Sequence, residues 1–338
     1  MAQALKKRGL CNKINGYPAS LAESHKTGDN MDTNLTAIAA GAIGKMMVMV
    51  LIGIGGYKIG LIGDTERDSL TKFLLNLICP MLILNSYMQG YDPEKTKGLF
   101  LSLAMGVLIH VIGIVLGMIF IKKEGNPDWQ VERMAIVYGN VGFMGMPLMS
   151  AMFGLDAVFY LSAINLVYVF LIWTHGVLLM TGSMDRANLK KVFISPNMIC
   201  MAIGILIYAL RIPVPEFLAS PIASISNCVT PLAMLISGAI IASSNFAEAL
   251  KHKRLYLVTV MRLFAVPFLT AVCVRLLHIP YMVALITFTA AACPMGSMVT
   301  MFAIEHKKNP GYASGIFTVT TVLSLLTIPA LIALYGMI

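Results

Sequence analysis

The chain has 338 residues, of which 58% are hydrophobic and 12% charged, with a mean hydropathy of +0.80. Soluble domains run at roughly 45–50% apolar and about 25% charged residues, so a soluble globule is excluded. The net charge of +9 does not point to nucleic acid; the basic residues sit in short loops between apolar segments, where the positive-inside effect accounts for them.

Residues 1–34 form a polar tail carrying Lys6, Lys7, Arg8, Lys13 and Lys26. The tail lacks the apolar core of a signal peptide. Met31 stands just before the first apolar run, so the tail reads either as an upstream extension that is not native or as a disordered segment. Charge-free stretches then run over residues 98–121, 134–155, 157–184, 217–247, 276–304 and 309–338, each long enough for the roughly 20 residues of a spanning helix. Shorter apolar segments near 37–57, 70–90, 192–210 and 254–275 complete the set. The expected fold is an all-α polytopic membrane protein of ten transmembrane helices.

Charge placement predicts orientation. Loops after odd-numbered helices carry fourteen Lys and Arg, among them Lys122, Lys190, Lys251 and Lys307, against four (Lys95, Lys97, Arg211, Arg275) after even-numbered helices. The first set faces the cytoplasm, and ten helices then put both termini outside the cell membrane. Of six cysteines, five lie in apolar segments without a CxxC pair; they read as small packing residues.

Displacing the chain along itself by 151 residues superposes Ile52 on Ile203, Gly53 on Gly204, Tyr57 on Tyr208, Asn76 on Asn227, Pro80 on Pro231, Leu84 on Leu235 and Ser86 on Ser237. The repeated Asn-x-x-x-Pro is the most specific part. Two five-helix repeats follow, over residues 35–185 and 186–338. Because five is odd, the second copy enters the membrane from the opposite side, giving the inverted repeats from which secondary transporters build alternating access.

The equivalent fourth and ninth helices are interrupted. One carries Gly139, Asn140, Gly142, Gly145 and Pro147, the other Cys293, Pro294, Met295, Gly296 and Ser297. Glycine and proline also serve close packing and kinks in spanning helices. Paired breaks near mid-membrane, however, leave backbone N–H groups and positive dipole ends facing a cavity, a site suited to an anion.

On these motifs the chain resembles the auxin efflux carrier family, which includes plant PIN auxin carriers and bacterial permeases thought to carry malate or malonate. The likeness rests on Gly139-to-Gly154 (GNVGFMGMPLMSAMFG), Ser195-Pro196-Asn197, Arg262 with Pro267, and Ala292-to-Glu305. It implies a scaffold of helices one, two, six and seven, a transport domain from the rest, and helices four and nine crossing at their breaks. Substrate carboxylate would bind at the crossing through Asn140, Pro147 and Pro294. Met295 departs from the Gln that PIN carriers tend to have there, which argues against an aromatic, auxin-like substrate; Ser297 stands where it can supply the missing polar contact.

The acidic residues are all expected in the tail or in loops, which disfavours a carboxylate-based antiporter. Arg262 lies about nine residues into the eighth helix, where a charge costs roughly 2.5–3.5 kcal/mol. It is either held by carbonyls or a loop acid, or it recognises an anion. Lys45 is expected to snorkel near the outer end of the first helix. His110 and His175 are isolated, so hydrogen-bonded helix contacts are expected rather than a metal site. Asn76 and Asn227 either cap carbonyls freed by Pro80 and Pro231 or line the path.

The expected function is a secondary transporter moving a small organic anion by alternating access. The alternative is a sodium-coupled symporter of the bile-acid type. An enzyme is not expected, since the apolar helices hold no HExxH and no acid pair. The implied partners are the anion, the lipid bilayer and a second copy held through the scaffold helices; no cofactor is called for.

Overall fold

A computed structural model describes residues 31–183, 194–244 and 249–336. The reading of residues 1–30 of the tail, and the repeat boundary at 185/186, lie outside the described residues. The chain forms α1 (Met31–Lys58), α2 (Asp64–Tyr87), α3 (Pro93–Phe120), α4 (Trp129–Val137), α5 (Val141–Thr181), α6 (Pro196–Ala209), α7 (Glu216–Ser243), α8 (Lys253–Leu276), α9 (Tyr281–Ala292), α10 (Ser297–Glu305) and α11 (Pro310–Gly336). Among the described residues, six helices (α2, α3, α5, α7, α8 and residues 310–332 of α11) are long and apolar enough to cross a membrane.

Proline shapes three of these helices in the same way. Pro80, Pro147 and Pro267 each follow a wide, π-helical turn, at Leu74–Ile78, Val141–Gly145 and Met261–Ala265. A proline ring collides with the carbonyl four residues back, and here that carbonyl belongs to Asn76, Phe143 or Leu263, the middle of each wide turn. Widening the turn relieves the clash without ending the helix. Proline also opens helices: Asp92 accepts the Glu94 N–H at 2.9 Å ahead of Pro93, and Ser195 accepts the Met198 N–H at 3.4 Å ahead of Pro196.

Gly154 interrupts α5 with φ 71° and ψ −158°, a left-handed backbone that a side chain would oppose. It separates a first arm, residues 141–153, from a second, 155–181. The predicted fourth helix therefore falls on α4 plus the first arm, and the predicted ninth on α9 plus α10.

Small residues set the closest helix approaches. A Cβ on Gly53 of α1 would run into the Leu235 carbonyl of α7, and one on Gly238 of α7 into the Val50 carbonyl of α1. A Cβ on Gly204 of α6 would stand 2.9 Å from Cβ of Tyr87 on α2. Without a hydrophobic drive between helices in lipid, such close backbone packing holds them together. The residues most removed from the surface, such as Met134, Ala135 and Ile136 of α4, Met149 of α5, and Leu285 and Ala291 of α9, are 0% exposed. The two helix breaks lie in the middle of the molecule.

Two acids depart from expectation. Glu132, expected in a loop, lies on α4 with a side chain that is 0% exposed. It accepts from Arg254 at 2.8 and 3.0 Å, from the Asn126 amide at 2.7 Å and from the Tyr312 hydroxyl at 3.0 Å. Asp156, at the start of the second arm of α5, pairs with Lys95 at 2.5 Å. Helix α4 begins at Trp129, before the apolar stretch does, so a charge-based boundary leaves Glu132 out.

The candidate site at the crossing of two broken helices

The two breaks meet backbone to backbone. Asn140 N–H donates to the Pro294 carbonyl at 2.7 Å and Gly296 N–H to the Tyr138 carbonyl at 2.8 Å, so Gly139 and Met295 face each other as an isolated antiparallel bridge. Four helix ends converge there. Helices α4 and α9 arrive with their carbonyl ends; the first arm of α5 and α10 leave with their N–H ends.

Arg262, on the wide turn of α8, occupies the carbonyl side. Its side chain is buried, at 1% exposure. Nε donates to the Cys293 carbonyl at 2.8 Å, Nη1 to Ile136 at 3.0 Å and Val137 at 3.4 Å, and Nη2 to Ala291 at 3.0 Å. One guanidinium thus satisfies the last carbonyls of both helices and opposes the negative ends of both dipoles. Of the two readings of Arg262 left open by the sequence, the structure places its donors on carbonyls. Gly139 makes room for it, since a Cβ there would collide with Nη2.

The N–H side presents donors without acceptors among the described residues. Asn140 precedes the first arm, is 5% exposed, and its side-chain amide has no hydrogen bond among the described residues. Its carbonyl accepts from Met144 and Gly145 at 3.1 and 3.0 Å. The amides of Gly142 and Phe143 on one arm, and of Ser297 and Met298 on the other, find no acceptor among the described residues. Ser297 opens α10 and is half-buried. These groups can donate to an anion and orient it.

The other expected residues fall further out. Pro147 sits two turns into the arm; its carbonyl accepts from Thr230 at 3.1 Å. Having no N–H, Pro147 leaves the Gly142 carbonyl free, and the Cys79 thiol lies 4.0 Å from it. Gly145 packs on Cys293, whose Sγ would be 3.2 Å from an added Cβ. Asn76 is exposed and caps the Lys72 carbonyl at 2.9 Å, while Asn227 and Pro231 are exposed on α7. Pro80 is buried in α2. The structure thus brings together Asn140, Gly139, Pro294, Gly296, Ser297 and Arg262, and leaves Asn76, Asn227 and Pro231 apart.

Three features escape a reading of the sequence. Asn165, on the second arm of α5, is 5% exposed, and its Oδ1 would be 3.5 Å from a Cβ on Gly142. An asparagine inside an apolar run is the signal that could have found it. Tyr138 and Tyr168 form an aromatic floor with His110 and His175, the two histidines expected to make hydrogen-bonded helix contacts, and the Tyr138 hydroxyl lies 2.8 Å from His175 Nδ1 and 2.9 Å from the Leu171 carbonyl. His110 holds the Gly106 carbonyl at 2.7 Å. Lastly, α1 runs from Met31 to Lys58, so Lys45 lies midway along it rather than near its outer end.

Long apolar helices with two backbone-paired breaks and buried polar groups define a multi-pass membrane protein built as a transporter. The chain belongs to the membrane transport protein family, whose model matches residues 38–190 and 180–332. It is also 22% identical over 295 residues to an uncharacterized transporter of Methanothermobacter thermautotrophicus, covering 84% of this chain and 94% of that one.

Proposed function

We propose that this transporter moves a small organic anion, a carboxylate, across the cell membrane by alternating access, with the carboxylate held at the N–H side of the crossing. One observation carries the reading: Arg262 takes the carbonyl ends, while Asn140, Ser297 and the amides beside them remain free to donate. No carboxylate touches Arg262 among the described residues, so its positive charge adds to the dipole ends and disfavours a cation. In this reading Asn140 and Ser297 touch the substrate, Asn165 stands beside them, and Pro147, Pro294 and Arg262 shape and polarise the site.

The ten-helix inverted repeat belongs to the same proposal. Val141–Thr181 spans 41 residues, about 60 Å if straight against a hydrocarbon core of about 30 Å, and Gly154 divides it into two lengths that each fit. Helix α1 packs on α7 as α6 packs on α2, the exchange of partners a duplicated scaffold requires. Both termini outside, and a homodimer through these helices, complete the scheme. The bile-acid-type alternative draws no support from the family match.

Purified protein in sealed vesicles should take up mono- or dicarboxylates, with flux following an imposed membrane potential in the direction set by the anion's charge. Binding confined to cations or neutral solutes, with carboxylates failing to compete, would end this reading.

A further inference from the structure

A cavity of about 370 Å³ opens between α1, α7 and the first arm of α5, lined by Lys45, Met46 and Met49, by Thr230 and by Ala151. Its volume lies within the roughly 300–1,000 Å³ of small-molecule sites. Lys45 follows Met31 by fourteen residues and precedes Lys58 by thirteen in α1, which puts it about 20 Å along the helix from either end. Lys45 is exposed and borders the cavity, and a charge within a membrane-spanning helix is costly unless held. No acid lines the cavity, and Lys45 has no hydrogen bond or ion pair among the described residues.

The cavity lies against the same α5 arm that starts at the crossing. Ala151 and Pro147 are four residues apart on the first arm and share a face. Thr230, in the cavity wall, donates to the Pro147 carbonyl at 3.1 Å. Two turns further back along that arm stands Asn140.

We propose that Lys45 is the cation that receives the transported anion in this vestibule and passes it along the α5 arm to Asn140. The inference rests on the carboxylate reading above. Arg262 spends its donors on carbonyls, whereas Lys45, which borders the cavity and has no ion pair among the described residues, can pair with the substrate carboxylate directly. An anionic lipid headgroup offers the same chemistry from a different source.

The test uses full-length protein in phosphatidylcholine vesicles, with uptake of labelled acetate, malonate and malate. K45Q should raise KM about tenfold to a hundredfold, the loss expected for a charge-assisted hydrogen bond, while K45R stays near wild type. K45C should behave as K45Q until an aminoethyl thiosulfonate reagent restores the ammonium, and a sulfonatoethyl reagent should not rescue it. Recovery within one folded sample excludes a folding defect, and wild type treated alike controls for the native cysteines. If wild type moves a carboxylate and K45Q has an unchanged KM, the inference is overturned and the transport reading stands. It is overturned in the same way if K45Q changes only the dependence on added phosphatidylglycerol, because Lys45 then holds lipid. If wild type moves none of the three acids, the transport reading fails and this inference falls with it.

Discussion

Two of the arginines on helix α8 have surroundings that differ in kind. Arg254 meets a carboxylate, Glu132, inside a closed set of Asn126 and Tyr312 donors. Arg262, eight residues on, meets only carbonyls. The first pairing cancels its charge, occupies both Glu132 oxygens and joins α4, α8 and α11. The second satisfies hydrogen bonds without cancelling charge. A buried cation that is bonded yet not neutralised biases the field of its neighbourhood, and this separates a structural tie from a site.

Removing Arg262 should have the largest effect. Arg262→Ala strands four carbonyls at the middle of the protein, at about 1–3 kcal/mol for each unsatisfied group, and should abolish the monodisperse folded species in size-exclusion chromatography. Arg262→Lys keeps the charge but lacks the planar fork, and should recover part of the folded fraction without transport. A well-folded Arg262→Ala would show that the carbonyls have other partners.

Breaking the Arg254 tie should cost less. Glu132→Ala leaves a half-exposed Arg254, so the loss should fall at or below the roughly 3–5 kcal/mol seen when one partner of a fully buried pair is removed. The double substitution Glu132→Leu with Arg254→Met should regain much of the thermal stability in detergent, and anion affinity should be unaltered throughout. An equal loss of transport in Glu132→Ala and in the double variant would mean that the tie also serves transport.

Smaller again is the effect expected of Gly139→Ala, whose methyl group displaces one arm of the guanidinium. Overpacking of this kind costs typically 1–3 kcal/mol, read as a lowered midpoint of thermal unfolding with substrate affinity reduced alongside. Asn140→Ala should be the gentlest for the fold, because its side chain bonds nothing among the described residues. Its KM for carboxylate should rise about tenfold at unchanged thermal stability; an unaltered KM removes Asn140 from the site.

The breaks themselves are legible because glycine and proline leave a local signature; that they meet, at Gly139 and Met295, is what the family resemblance implies and not what the residues alone show. The role of Arg262 is not, since its acceptors at Ile136 and Val137 lie more than a hundred residues away along the chain. A hydropathy boundary starts the first helix near residue 37 rather than at Met31, so Lys45 reads as nearer to one end than it is. Charged neighbours put Glu132 in a loop, and only the partners Arg254 and Tyr312, brought in from α8 and α11, make its burial tolerable. Apolar neighbours hide Asn165. For Arg262 and Glu132 the missing information is a contact between distant segments, which no local pattern of residue types encodes.

The crossing is fastened by two main-chain hydrogen bonds, Asn140 to Pro294 and Gly296 to Tyr138. These bonds draw on main-chain atoms that every amino acid possesses, proline's missing N–H aside. The joint is therefore indifferent to most side-chain exchange, and the residues projecting from it, Asn140, Met295 and Ser297, are open to replacement. In the proposed scheme, substrate preference can therefore drift, or be redesigned, at positions beside the joint while its main-chain linkage stays as it is.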